Sequence, residues 1–309
     1  MTSSFLTPEI MAIVGDVSTP RHGLITANHI SKFCVGIDHL DPVFFDRKAA
    51  QAAGYPDIIA PPLFNAAATR PVPARTGLLS DGQYETAAPP GLGHLQTMLA
   101  GQSWELIRPS VVGEEIIEVF RTKSITERQG KTGPIVFVEK EAEITTPAGE
   151  TIERYSSTLI LRTPPPPLPP FKQSGENGSA APQDLPATEV TPDGLTKNPD
   201  MITLFMFVAA IWGIHRIHWD VPYAQTEGLR LPILPGWMLS SYLAQLAQMK
   251  APENTRLGKL AVRYKSSAYP GDQLLATADA APTAEGLSLL LKNQDGGEVA
   301  TAVANYLPR

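Results

Sequence analysis

The chain has 309 residues, 43% hydrophobic and 18% charged, with a formal net charge of −6, which suits about two globular domains with a core in each. No long basic run is present, so the footprint of a nucleic-acid or anionic-membrane binder is missing and a small-molecule ligand is expected. Cys34 is the single cysteine, which excludes an internal disulfide and a multi-cysteine metal site and suits a reducing, cytoplasmic setting; a small buried hydrophobe is expected there.

In chain order, residues 1–16 lack a cationic stretch followed by an apolar one, so no secretory signal is expected. Asp46, after Asp41-Pro42-Val43-Phe44-Phe45, should cap a helix, because an aspartate before an apolar-periodic segment accepts free backbone N–H groups. A second helix should follow Pro61-Pro62. Residues 70–91, rich in Pro, Gly and Ala, are expected to form a loop or lid beside a site. Strand-like segments follow at 114–123, 135–145 and 152–162, the last two joined by a turn at Gly149-Glu150. The run Pro164-Pro165-Pro166-Pro167-Leu168-Pro169-Pro170 and the polar stretch after it cannot carry a ladder of hydrogen bonds and form a linker.

Beyond the linker, residues 201–214 are apolar but too short for a membrane span, which needs ~20 residues, and are expected to be buried core. Asp220 repeats the capping pattern. Pro235-Gly236 should open a buried helix, since apolar residues recur at intervals of three and four from Trp237 to Ala247. Strand-like segments follow at 260–267, 273–280, 287–292 and 299–307, with a turn at Gly297-Glu298. The halves carry the same signals in the same order. Phe44 stands 17 residues before Pro61, and His218 stands 17 before Pro235, so one unit is present twice. The expected domains are 1–163, a linker at 164–194, and 195–309.

The segment before each capping aspartate resembles the fingerprint of MaoC-like and (R)-specific enoyl-thioester hydratases, Asp-x-Asn-Pro-Leu/Ile-His. In the first half, His39-Leu40-Asp41-Pro42-Val43-Phe44 keeps only the proline and the apolar residue, with Phe44 at the histidine position. In the second, His215-Arg216-Ile217-His218-Trp219-Asp220 is similar to the catalytic half of type-2 hydroxyacyl-thioester dehydratases and mesaconyl-C4-CoA hydratases. The resemblance implies an α+β tandem (double) hot-dog fold, each half a curved antiparallel sheet wrapped around a buried helix. It also implies an acyl-thioester substrate and one working site. His218 takes the catalytic histidine position and Gly236 that of the glycine whose amide holds the thioester oxygen; His215 stands at the fingerprint's Asn and is kept as a catalytic candidate because it could supply the contact missing at Gly213. The aspartate or asparagine of the fingerprint falls on Gly213, which cannot hold a water.

Each residue also has a structural reading. His218 could be a hydrogen-bonded core histidine, although imidazole is the commonest general acid/base. His215 could simply orient the loop, and Asp220, matched by Asp46, is expected to be a cap. Gly236 could serve packing alone, but helix N-terminal amides are ready-made donors to an anion. Trp219, Trp237, Pro235, Gly213 and Phe44 are expected to line the substrate site, with Trp212 beside it. Arg263 is a candidate for the phosphates of a CoA or pantetheine carrier. No metal and no cofactor beyond the substrate's own carrier are expected. The carrier is CoA or an acyl carrier protein, and a homodimer is an option for assembly. The expected activity is addition or removal of water across an enoyl or 3-hydroxyacyl thioester. Its alternatives are a lyase, cyclase or isomerase reaction on the same scaffold, or non-catalytic acyl binding.

Overall fold

The computed structural model describes residues 4–84, 88–130, 133–169, 186–192, 194–279, 283 and 286–308. Of the expected linker, residues 170–185 and 193 lie outside the described residues, as do 85–87 of the expected lid and 280 at the end of an expected strand.

The first half runs α1 (Pro8–Ala12), β1 (Arg21–Leu24), α2 (Ala27–Gly36), a 3-10 turn over Pro42–Phe44, α3 (Arg47–Ala52), α4 (Asn65–Ala68), β2 (Gln96–Leu106), β3 (Glu115–Gly130), β4 (Gly133–Thr145) and β5 (Thr151–Arg162). The second runs β6 (Thr188–Thr191), β7 (Gly194–Lys197), α5 (Met201–Ala210), a 3-10 turn over Arg216–His218, α6 (Val221–Thr226), α7 (Gly236–Met249), β8 (Thr255–Tyr264), β9 (Leu274–Ala278), β10 (Leu287–Asn293) and β11 (Glu298–Pro308). The repeated unit is visible element by element: α2, its 3-10 turn and α3 recur 174 residues later as α5, its 3-10 turn and α6.

The strands form one 11-stranded antiparallel sheet in the order β1-β3-β4-β5-β2-β8-β11-β10-β9-β7-β6. Read outward from the centre, β2-β5-β4-β3-β1 matches β8-β11-β10-β9-β7, and β6 is added at the second half's edge. The halves join where β2 pairs with β8, from Gly101 opposite Arg263 to Glu105 opposite Lys259. Four of these strands, β1, β2, β6 and β7, had no strand assignment from the sequence. Three are only four residues long, too short for an alternating pattern to register.

Local chemistry accounts for the helix starts. The Asp46 carboxylate accepts from Ala49 N at 2.7 Å and Asp220 from Tyr223 N at 3.1 Å, so both aspartates are caps, worth about 1 kcal/mol each. Cys34 is buried on α2 and burial pushes its thiol pKa up, as expected of an inert core cysteine. The apolar run 201–214 departs from expectation: α5 buries Leu204, Phe207 and Val208 but leaves Ile202 and Phe205 each 66% exposed. Its inner face packs against α2, so only one stripe of the helix is covered.

The largest asymmetry follows the two prolines that end the shared pattern. In the second half α7 runs 14 residues, and every residue from Met238 to Ala247 is buried. In the first half the corresponding helix, α4, is a single turn of 4 residues. Pro71 and Pro73 explain the stop, because the residue before a proline is driven out of the helical region and proline offers no N–H. No proline lies between Pro235 and Pro252. The first half's sheet therefore has no long helix across its concave face.

Candidate active site

The space left by the missing helix is a cavity of about 640 Å³. Its walls come from both halves: β2, β3, β4 and β5 supply one side, and the Ile211–His218 loop, the start of α7 and residues 264–268 supply the other. A bulge in β2 at Ala100, between Leu99 and Gly101, bends that strand beside the site.

His218 ends the second 3-10 turn and borders the cavity. Its Nδ1 lies 2.9 Å from the carbonyl oxygen of Ile233. A carbonyl only accepts, so Nδ1 carries the proton and Nε2 is left with a lone pair. Burial pulls the imidazole pKa down to about 4, against the pull of that carbonyl upward, and the charge of Arg70 lowers it further. His218 is thus neutral at pH 7, in the form that can take a proton.

Gly236 is the first residue of α7, and no side chain caps that terminus. Gly236 borders the cavity, and its N–H has no acceptor among the described residues, with the helix dipole behind it. Space at Gly236 is small: an added Cβ would sit 2.9 Å from Tyr264 Cζ and 3.0 Å from Leu99 Cδ2. Tyr264 is fixed in turn, its hydroxyl 2.5 Å from Ser240 Oγ, 2.8 Å from Gln102 Oε1 and 2.9 Å from Gly236 O. Trp237 Nε1 donates to Leu63 O at 2.9 Å, which ties the start of α7 to the first half.

His215 also borders the cavity, its ring centroid 5.9 Å from that of His218. Burial, then the neighbouring His218, lowers its pKa to about 3, so it is neutral and makes no true ion pair with Asp81, 3.7 Å away. Its Nε2 is buried and unpartnered. Asp81 belongs to the first half's extra segment, which reaches across to the second half's loop. There Asp81 O accepts from Arg216 N at 2.7 Å, and Gly82, at φ +85°, passes so close that a Cβ would lie 2.3 Å from Ile214 O. The expected lid is therefore part of the site's wall, through Gly82, Gln83 and Tyr84. At Gly213 an added Cβ would meet Ile211 Cγ1, Val208 Cβ and the Val208 carbonyl oxygen, each at 3.3 Å, a tight fit at a φ outside the left-handed region.

Of the residues singled out from sequence, His218, His215, Gly236, Gly213, Pro235 and Trp237 come together around the cavity. Three do not. Phe44 is buried in the core against His39, with ring centroids 4.9 Å apart, and is no wall of the site. Trp219 is 49% exposed and Trp212 42%, because the loop turns their rings outward. Arg263 alternates with Tyr264 on β8 and faces solvent, whereas the exposed Lys265 borders the cavity and marks its mouth. Arg70, Asp81, Gln102 and Tyr264 were missed. They lie on the other half or on an edge whose partner no local pattern names. Among the described residues no cluster of His, Cys, Asp and Glu could hold a metal, and no helix is long and apolar enough to cross a membrane.

Residues 12–154 match the FAS1-like dehydratase domain region. A UPF0336 protein of Saccharopolyspora erythraea is 33% identical over 133 residues, which span 43% of this chain and 78% of that protein. The mesaconyl-C(4)-CoA hydratase of Chloroflexus aurantiacus is 28% identical over 192 residues, 61% of this chain and 64% of the hydratase. Among solved structures, a MaoC-like dehydratase superposes with a TM-score of 0.70 at 15% identity, over 96% of this chain and 98% of the other. A Mycobacterium tuberculosis protein described as a double hotdog does so with a TM-score of 0.60 at 14% identity, over 97% and 98%. The fold is the double hot-dog.

Proposed function

Because this chain belongs with the UPF0336 proteins, matches a FAS1-like dehydratase region and shares the double hot-dog fold of a MaoC-like dehydratase, we propose that it adds or removes water across an enoyl or 3-hydroxyacyl thioester. The observation that carries the reading is the pairing in one cavity of a neutral His218, its Nε2 unprotonated, with the uncapped amide of Gly236.

In hydration, a water bound to His218 Nε2 gives up a proton to the ring as its oxygen bonds to the β-carbon. The electron pair of the double bond moves onto the thioester, and the charge on its oxygen is met by the Gly236 N–H. The imidazolium then returns a proton to the α-carbon, which restores the neutral ring. Dehydration is the reverse. The single imidazole serves as base and acid because Gly213 leaves no carboxylate where the fingerprint has one. His215 and Asp81 position the loop, and Lys265 at the mouth suits the phosphates of a CoA or pantetheine carrier.

The test is incubation with a panel of enoyl- and 3-hydroxyacyl-CoA compounds, followed by mass spectrometry for gain or loss of water. Interconversion on at least one member is the expected result. Binding without interconversion across the panel would replace this reading with a different reaction on an acyl thioester, for which the empty Gly213 position is the supporting observation.

A further inference from the structure

A water held by His218 alone can turn about that one hydrogen bond, and Gly213 offers no side chain to stop it. His215 borders the same cavity, its ring centroid 5.9 Å from that of His218 and the two planes at 88°. One water joined to a nitrogen of each ring by hydrogen bonds of ~2.8 Å fits that separation. The two nitrogens of His215 have different surroundings. Nε2 is shielded from solvent and lies 3.7 Å from Asp81 Oδ2, just beyond a hydrogen bond and with no other partner. Such contacts are often long in a free enzyme and tighten when substrate binds. Nδ1 has no hydrogen-bond partner among the described residues and is not shielded, which leaves it for the cavity.

Asp81 is itself fixed. Gln83 N donates to its Oδ1 at 2.9 Å, and Oδ2 accepts from Gln83 Nε2 at 2.8 Å and from Tyr223 Oη at 3.4 Å. An acceptor on the Nε2 side favours the tautomer that carries its proton there, so Nδ1 keeps a lone pair. Resting on the hydratase reading above, we propose that His215 is the second holder of the reacting water, and that Asp81, reaching over from the first half, is the positioning residue that sets its tautomer. The water donates one hydrogen to His218 Nε2 and the other to His215 Nδ1, which leaves an oxygen lone pair aimed at the β-carbon. As the carbon–oxygen bond forms, the first proton passes to His218 and from there to the α-carbon, while the second stays on the product hydroxyl. His215 accepts a hydrogen bond but no proton, in keeping with a pKa that burial holds at about 3, below the about 4 of His218.

Two reactions at one site separate a water-holding role from a structural one. Hydration is followed on crotonyl- and octenoyl-CoA, and exchange of the α-protons of butyryl- and octanoyl-CoA in heavy water is followed by mass spectrometry. Exchange needs His218 and Gly236 but no held water. His215→Phe should lower kcat for hydration ~10-fold or more, with KM within ~2-fold and exchange within ~3-fold of the wild type. Asp81→Asn keeps the backbone bond to Arg216 but can turn an N–H toward Nε2 and drive the ring proton to Nδ1. It should show the same selective loss to a smaller degree, and Asp81→Glu should recover part of it. If thermal unfolding shows that His215→Phe does not fold, Asp81→Asn decides alone. Hydration at the wild-type rate in the folded variants, or equal loss of both reactions, would overturn the proposal, as would a wild type that exchanges α-protons but hydrates neither enoyl-CoA. Absence of both reactions in the wild type would overturn the thioester reading instead, and the proposal with it.

Discussion

The two halves keep the same scaffold up to the prolines at Pro61 and Pro235 and then part. In the second half α7 fills the concave face of its sheet, and its first residue and His218 border the cavity. In the first half α4 stops after one turn, and the cavity takes up the space. Beside α4, where Pro61 and Pro62 stand at the counterparts of Pro235 and Gly236, only a chamber of about 60 Å³ remains, closed in part by Gln248 from the end of α7. Under the proposed function, one copy of the repeat supplies the groups that react and the other supplies room, and neither makes a site alone.

The sharpest way to break that division is His218→Ala, which should lower kcat by ~10²-fold or more while the unfolding temperature changes little. Because the folded pKa of His218 lies below the ordinary 6.5, toward about 4, the base form persists as pH falls through 6.5. The acid limb of kcat/KM should therefore lie well below 6.5. Wild-type-like turnover in His218→Ala would remove the second half's claim to the chemistry.

Gly236→Ala tests the other reacting group. Its methyl group would press on a Tyr264 ring held by Gln102 and Ser240, so either the ring or the helix start must move. A loss of ~10-fold in kcat, larger than any change in KM, is expected in steady-state kinetics.

Glu153→Gln probes the first half, where buried polar groups serve the fold. Glu153 is 1% exposed, one oxygen accepts from Asn65 Nδ2 at 2.9 Å, and burial raises its pKa to about 8. The folded state therefore holds a proton that the unfolded state releases near 4.5, and stability is lost as pH rises from 4.5 through 8. Thermal melts of Glu153→Gln should show less loss over that window than the wild type.

The smallest expected effect belongs to Phe44→His. The residue lies in packed core against His39, away from the cavity, so the new imidazole should add no activity and only cost stability. A gain in turnover that survives His218→Ala would show that the first half retains a working site.

Much of this was legible in the chain. Spacing alone showed the duplication, since a 17-residue interval between a capping segment and a helix-starting proline is local information. The caps at Asp46 and Asp220 and the buried α7 were legible for the same reason, whereas the candidate pair His218 and Gly236 came from the resemblance to a family fingerprint. Even the truncation of α4 is written in Pro71 and Pro73, although its consequence is not. Strand alternation did not tell which face of β8 Arg263 would take, nor could the aromatic character of Trp219 tell that its ring would point to solvent.

What the sequence determined by itself is therefore whatever depends on neighbours within a turn or two: helix starts and stops, the repeat, and the residue types able to move a proton. The tertiary structure alone decided which surfaces meet. Pairing of β2 with β8 sets the first half's empty face against the second half's helix start, and the segment around Asp81 and Gly82 crosses to the His215 loop. Arg70 and His218, 148 positions apart in the chain, share one cavity for that reason. Such contacts arise from the packing of whole sheets and helices, a long-range balance of burial and backbone hydrogen bonding that no local pattern encodes.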